Sequence, residues 1–123
     1  MIRVLVVDDH DLVRTGISRM LADISGLQVI GQADSGEDAL NIVGPFSPDL
    51  MLLDIMLPGK AGMQILEELR DDSRMQGMPV LMLTAKGQRK DREAAETAGA
   101  SMFMTKPFAN EEILRNVKAL LDR

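Results

Sequence analysis

Five predominantly apolar runs, separated by amphipathic stretches, constrain the fold of this chain more than any other feature. The runs are IRVLVV (2–7), LQVIGQA (27–33), DLMLLD (49–54), PVLMLT (79–84) and SMFMT (101–105). A strand with one wet face alternates apolar and polar residues, whereas a continuous run suits a parallel strand covered on both faces. The intervening segments carry helical spacing. Val13, Ile17, Met20, Leu21 and Ile24 form one stripe. Ser35 with Asp38 resembles a capping pair that opens a second helix, with Ala39, Leu40 and Val43 facing inward. A third helix is predicted from Gly62 to Asp72 through Ile65, Leu66 and Leu69. A fourth, near Gln88 to Ala98, offers only Ala94, Ala95 and Ala98 as an apolar face and is expected to be the most weakly held. Asn110 is predicted to cap the fifth, which docks through Ile113, Leu114, Val117, Leu120 and Leu121.

Five βα units imply an α/β fold in which right-handed crossovers place helices on both faces of a parallel sheet. The flavodoxin-like, doubly wound (βα)5 arrangement with strand order 2-1-3-4-5 is the expected topology. At 123 residues, ending directly after the fifth helix, the chain is expected to form one domain, 1–123, with no output domain.

Composition narrows the function. The chain has no cysteine, which excludes disulfides and thiolate metal sites. Its net charge of −5 and its three aromatic residues, all Phe, speak against nucleic-acid binding by this domain. No apolar run approaches a membrane span, and the three acids in residues 1–15 are unlike a signal peptide, so a cytoplasmic location is expected. The ten Met residues read as adaptable core filler.

In a doubly wound sheet, ligands bind beyond the carboxyl ends of the strands, where strand order reverses. Those ends carry Asp8 and Asp9 after strand one, Asp54 at the end of strand three, Thr84 after strand four and Lys106 after strand five. Taken singly, Asp8 or Asp9 could cap a helix, Thr84 could close a turn and Lys106 could be a solvated loop residue. Their convergence on one edge is the stronger observation. Three carboxylates around a small pocket repel unless a cation joins them, and hard oxygen donors favour Mg²⁺ or Mn²⁺ over zinc. Asp54, placed centrally, can then attack a phosphoryl group to form an acyl phosphate. Lys106 would supply an ammonium and Thr84 a hydroxyl to the phosphoryl oxygens. His10 reads as a solvated surface residue rather than a ligand, and Asp11 as the cap of the first helix.

The motifs VVDDH (6–10), LLDIMLPG (52–59), LTAKG (83–87) and TKPF (105–108), set on five βα units, resemble the receiver domain of bacterial two-component response regulators, the CheY-like fold. The resemblance implies that Asp54 is the phosphoacceptor, taking its phosphoryl group from a histidine kinase or phosphotransfer protein. It makes Asp9 a direct metal ligand, Asp8 a ligand acting largely through water, and the Met56 backbone carbonyl a third protein ligand. Lys106 would pair with the phosphoryl group, and Pro107 would follow a cis peptide bond. Thr84 and Phe103 would form the switch, reshaping the face made by the fourth helix, fifth strand and fifth helix that meets a downstream protein. Such a domain would be a signalling module that catalyses its own phosphorylation and dephosphorylation rather than an enzyme with a separate substrate.

Some positions depart from the pattern. Phe103 stands where Tyr is frequent, and Lys60 and Ala61 replace a common apolar–Asp pair. Met56 and Lys86 occupy positions whose side chains influence water access to the phosphoryl group. Residues 1 to about 40 resemble NarL/FixJ-type receivers, whereas the remainder resembles chemotaxis or OmpR-type receivers. Ordinary divergence and a hybrid joined between about 40 and 50 both fit that contrast. An aspartate-nucleophile phosphatase would need a second Asp where Met56 stands, and a flavin site would be repelled by the acids after strand one. An inactive, phosphorylation-independent receiver is opposed by the complete set of Asp8, Asp9, Asp54, Thr84 and Lys106.

Overall fold

The computed structural model describes residues 2–54, 62–73, 75–85, 93, 96–97, 99–106 and 110–121. Within them the chain alternates β1 (Ile2–Val7), α1 (Asp11–Ala22), β2 (Leu27–Ala33), α2 (Gly36–Phe46), β3 (Leu50–Asp54), α3 (Gly62–Asp71), β4 (Val80–Ala85), β5 (Met102–Lys106) and α4 (Asn110–Leu121). The strands pair in parallel in the order β2-β1-β3-β4-β5, as expected from the alternation of runs.

Side chains alternate across each strand, so each continuous apolar run feeds two cores. Leu5, Val7, Met51, Leu53, Val80 and Met82 face one side, against Ala39 and Val43 of α2 and Ile65, Leu66 and Leu69 of α3. Val4, Val6, Leu50, Leu52, Leu81, Leu83 and Met104 face the other, against Ile17 and Leu21 of α1 and Ile113, Val117 and Leu120 of α4. Every residue of β3 is buried, which places it at the centre of the sheet. Burying one such side chain contributes about 1.5–3 kcal/mol. The methionines whose side chains are described are core filler as expected: Met51, Met75, Met78, Met82 and Met104 are buried, and Met20 and Met102 pack against the cores.

Local signals explain the helix ends. The Ser35 hydroxyl accepts the Asp38 N–H at 3.3 Å, opening α2 as the capping pair predicts. Pro45 and the left-handed Ser47 (φ 43°) stand at its close. The first helix differs from expectation. His10, not Asp11, is its N-cap residue, and Asp11 lies inside the first turn, where its carboxylate binds Arg14 at 2.7 Å. Asp11 is recruited by that guanidinium instead of by backbone N–H groups. The fifth predicted helix (here α4) begins at Asn110 itself rather than after it. Of the fourth predicted helix only Glu93, Glu96 and Thr97 are described; all three are helical, and the Thr97 hydroxyl donates to the Glu93 carbonyl at 3.1 Å. Its alanine face lies outside the described residues. Strands four and five each run one residue further than their apolar runs, because the pairing Ala85↔Lys106 continues the ladder past them. Among the described residues, no helix is long and apolar enough to cross a membrane.

At the edge of the sheet where the strands begin, one side chain ties three segments together. Arg70, near the end of α3, donates through Nε to the Gly99 carbonyl at 2.9 Å. Its Nη1 reaches the carbonyls of Met75, Gln76 and Met78 at 3.2, 3.1 and 2.9 Å. Burial lowers the Arg70 pKa, yet a guanidinium stays charged throughout the ordinary pH range. Gly99 adopts a positive φ of 107°, and a Cβ there would lie 2.9 Å from Arg70 Cγ. Gly99→Ala is therefore expected to lower unfolding free energy by about 1–3 kcal/mol, and Arg70→Lys by about 1–2 kcal/mol through loss of the fork. Because both changes break one network, urea denaturation of the double variant should show less than the sum of the two losses.

Candidate functional site

The register of the sheet brings the predicted polar residues to one edge. Val7 pairs with Leu53, so Asp8 follows β1 level with Asp54, the last residue of β3. Asp54 pairs with Leu83, which sets Thr84 one residue further along β4. Thr84 pairs with Thr105, and Lys106 is the final residue of β5. Neighbouring parallel strands lie about 4.8 Å apart, so these positions form a row along the carboxyl edge. Thr84 and Lys106, expected just past their strands, belong to them. Met56 and Pro107 lie outside the described residues, as do Lys60, Ala61 and Lys86.

The acids converge more tightly than spacing alone requires. One ligand-capable atom from each of Asp8, Asp9, His10 and Asp54 lies within 4.8 Å of the others. Asp8 is fully buried and Asp54 is 4% exposed, so both carboxylates stand at the floor of the edge. Asp9 is partly open at its side chain, with 34% exposed. His10, read from sequence as a surface residue, is indeed 66% exposed at its side chain, yet its Nδ1 lies 3.3 Å from both Asp8 Oδ1 and Asp9 Oδ1.

Asp8 is held by its surroundings. Its N–H donates to the Ala33 carbonyl at 3.0 Å, continuing the β1–β2 ladder. Its Oδ1 accepts the His10 N–H at 2.9 Å, closing a tight turn into α1. Its carbonyl accepts Arg14 Nη1 at 2.7 Å. Arg14 was not singled out by sequence reasoning, since a basic residue on a polar helix face reads as solvated. Its place one turn after His10 and three residues after Asp11 is the only signal available. Phe103 on β5 is half-buried against the core beneath α2 and α3.

The chemistry of this donor set suits a hard divalent cation. Carboxylate oxygens cluster at the edge, and two of the carboxylates are removed from the water that would otherwise screen them.

Comparison with known proteins identifies the family. Residues 4–118 match the family model described as response regulator receiver domain. The response regulator GacA of Pseudomonas aeruginosa is 44% identical over 118 residues, covering 96% of this chain and 54% of that protein. The phosphate regulon transcriptional regulatory protein PhoB of Escherichia coli is 37% identical over 121 residues, covering 98% of this chain and 52% of that protein. The chain thus spans about half the length of these curated relatives. Among solved structures, a response regulator from Chloroflexus aurantiacus superposes with a TM-score of 0.93 at 35% identity, covering 98% of both chains. A two-component response regulator of the LuxR family from Aurantimonas superposes with a TM-score of 0.89 at 28% identity, covering 98% of this chain and 86% of that one.

Mutual repulsion among these acids should appear as stability. In EDTA, Asp9→Asn is expected to raise the unfolding free energy by about 0.5–2 kcal/mol, the range for relief of a like-charge contact near the surface. Urea denaturation of parent and variant without divalent cations measures it.

Proposed function

Since this chain belongs to the response regulator receiver domain family of two-component signalling, we propose that Asp54 is its phosphoacceptor. The observation that carries the reading is the gathering of Asp8, Asp9 and Asp54 ligand atoms within 4.8 Å around a nearly buried central carboxylate. Asp54 oxygen attacks the phosphorus of a phosphohistidine on a histidine kinase or phosphotransfer protein. The P–O bond forms as the P–N bond breaks, and the leaving imidazole nitrogen takes a proton from solvent. The product is an aspartyl phosphate, which water later cleaves at phosphorus to return the carboxylate and inorganic phosphate.

Asp8, Asp9, Asp54 and the Met56 carbonyl are the groups assigned to hold Mg²⁺ or Mn²⁺. Bound there, the cation supplies positive charge to the phosphoryl oxygens and cancels the repulsion among the acids. Lys106, the last residue of β5, is assigned to offset a further share of that charge with its ammonium. Thr84, by its place in the register between Asp54 and Lys106, is assigned to bond the incoming phosphoryl group and to couple it to Phe103. The half-buried setting of Phe103 supports a side chain that changes burial when β4 shifts. The output surface is then assigned to β5 and α4 together with the predicted fourth helix, most of which lies outside the described residues, and a downstream protein would read it.

A chain of this charge acts through protein partners in the cytoplasm rather than through nucleic acid of its own accord. The domain is a signalling module whose only catalysis is on its own aspartate.

Incubation with acetyl phosphate and Mg²⁺, followed by intact mass measurement, tests the proposal. The parent should gain one phosphoryl group, and neither the parent in EDTA nor Asp54→Asn should gain it. Equal labelling of the variant would overturn the assignment.

A further inference from the structure

Arg14 makes the least ordinary set of contacts near the acidic edge. Although it lies on the first helix, its side chain is only 15% exposed. Nη1 donates to the Asp8 carbonyl at 2.7 Å, Nη2 binds Asp11 Oδ1 at 2.7 Å, and Nε donates to Gln32 Oε1 at 3.3 Å. One guanidinium thereby ties α1, β2 and the exit of β1 together.

The carbonyl it grips belongs to the peptide that links Asp8 to Asp9. A peptide unit is planar, so pinning its oxygen also fixes the direction of the Asp9 N–H and the start of the Asp9 side chain. The preceding peptide is already fixed, because the Asp8 N–H donates to Ala33. Between those two anchors the spacing of the Asp8 and Asp9 carboxylates has little freedom.

Spacing decides which divalent ion a carboxylate pair prefers. Mg²⁺ is small and demands near-octahedral geometry, whereas Ca²⁺ tolerates longer bonds and variable coordination. We propose that Arg14 is a positioning residue that makes the acidic edge selective for Mg²⁺ over Ca²⁺, by locking the Asp8–Asp9 peptide. The inference rests on the reading of Asp8, Asp9 and Asp54 as a cation site.

Electrostatics alone makes a different forecast. Arg14 is a positive charge near the site, so removing it would strengthen binding of both ions together. Arg14→Lys separates the two effects, since it keeps the charge but loses the planar fork that reaches three acceptors at once.

Calorimetric titration of the full 123-residue chain with MgCl₂ and, separately, with CaCl₂ tests the proposal. For Arg14→Lys, Mg²⁺ affinity is expected to fall roughly tenfold, the usual scale for losing a partner that orients ligands. Ca²⁺ affinity is expected to fall by less than about threefold, because its coordination adapts. Gln32→Ala, a change at an exposed strand position that removes only the Nε partner, should lower the Mg²⁺/Ca²⁺ ratio in the same direction by a smaller factor. It carries the test if Arg14→Lys does not fold. Parent-like ratios in the folded variants, or equal losses for both ions, would overturn the role given to Arg14. A parent chain that binds no Mg²⁺ would instead overturn the cation site itself, and this inference with it.

Discussion

Repulsion among carboxylates that the sheet will not let separate is the constraint around which this molecule is organised. Two unit charges about 4 Å apart cost about 1 kcal/mol in water and about 4 kcal/mol near a protein surface. In solution such groups would simply move apart. Here Asp54 ends a strand whose every residue is buried, and Asp8 follows a strand buried from Val4 to Val7. Their backbones are therefore held by two hydrophobic cores, and a divalent cation bound at this edge would relieve the repulsion. The rigidity of the apolar strands is what gathers the acidic residues at one edge.

The two edges of the sheet divide the work. At the edge where strands begin, Arg70 spends its donors on backbone carbonyls and Gly99 makes room for it, so polar groups there serve cohesion. At the edge where strands end, acidic groups face one another across the ends of β1 and β3. Arg14 joins the two styles: it is a structural fork, like Arg70, but what it fastens is the peptide between two acids of the site. A receiver domain needs that combination, because the groups meeting a phosphoryl group must be placed accurately while the surface behind them remains able to move.

Much of this was legible in the sequence. Parallel strands buried on both faces must be continuously apolar, so IRVLVV and LMLLD announce themselves, and the strand order follows from the βα alternation. Asp8, Asp9 and Asp54 were legible because strand ends in such a sheet share one edge. What stayed hidden depends on contacts between distant residues. Asp11 looks like a helix cap until Arg14 is seen to claim its carboxylate, and Arg14 looks solvated until Gln32, eighteen residues away on β2, is seen beside it. His10 looked peripheral because exposure and proximity to the acids are independent, and it has both. Strand ends at Ala85 and Lys106 escaped the hydrophobic pattern because ladder pairing, not apolarity, extends them.

The central claim is that the phosphoryl group lands on one carboxylate of the cluster and not on its neighbours. Borohydride reduction of the chain after treatment with acetyl phosphate and Mg²⁺ converts an aspartyl phosphate to homoserine, and peptide sequencing by mass spectrometry then locates it. The account requires homoserine at position 54, with Asp8 and Asp9 unchanged. Homoserine at either of those two positions, or its appearance at 54 without acetyl phosphate, would contradict it.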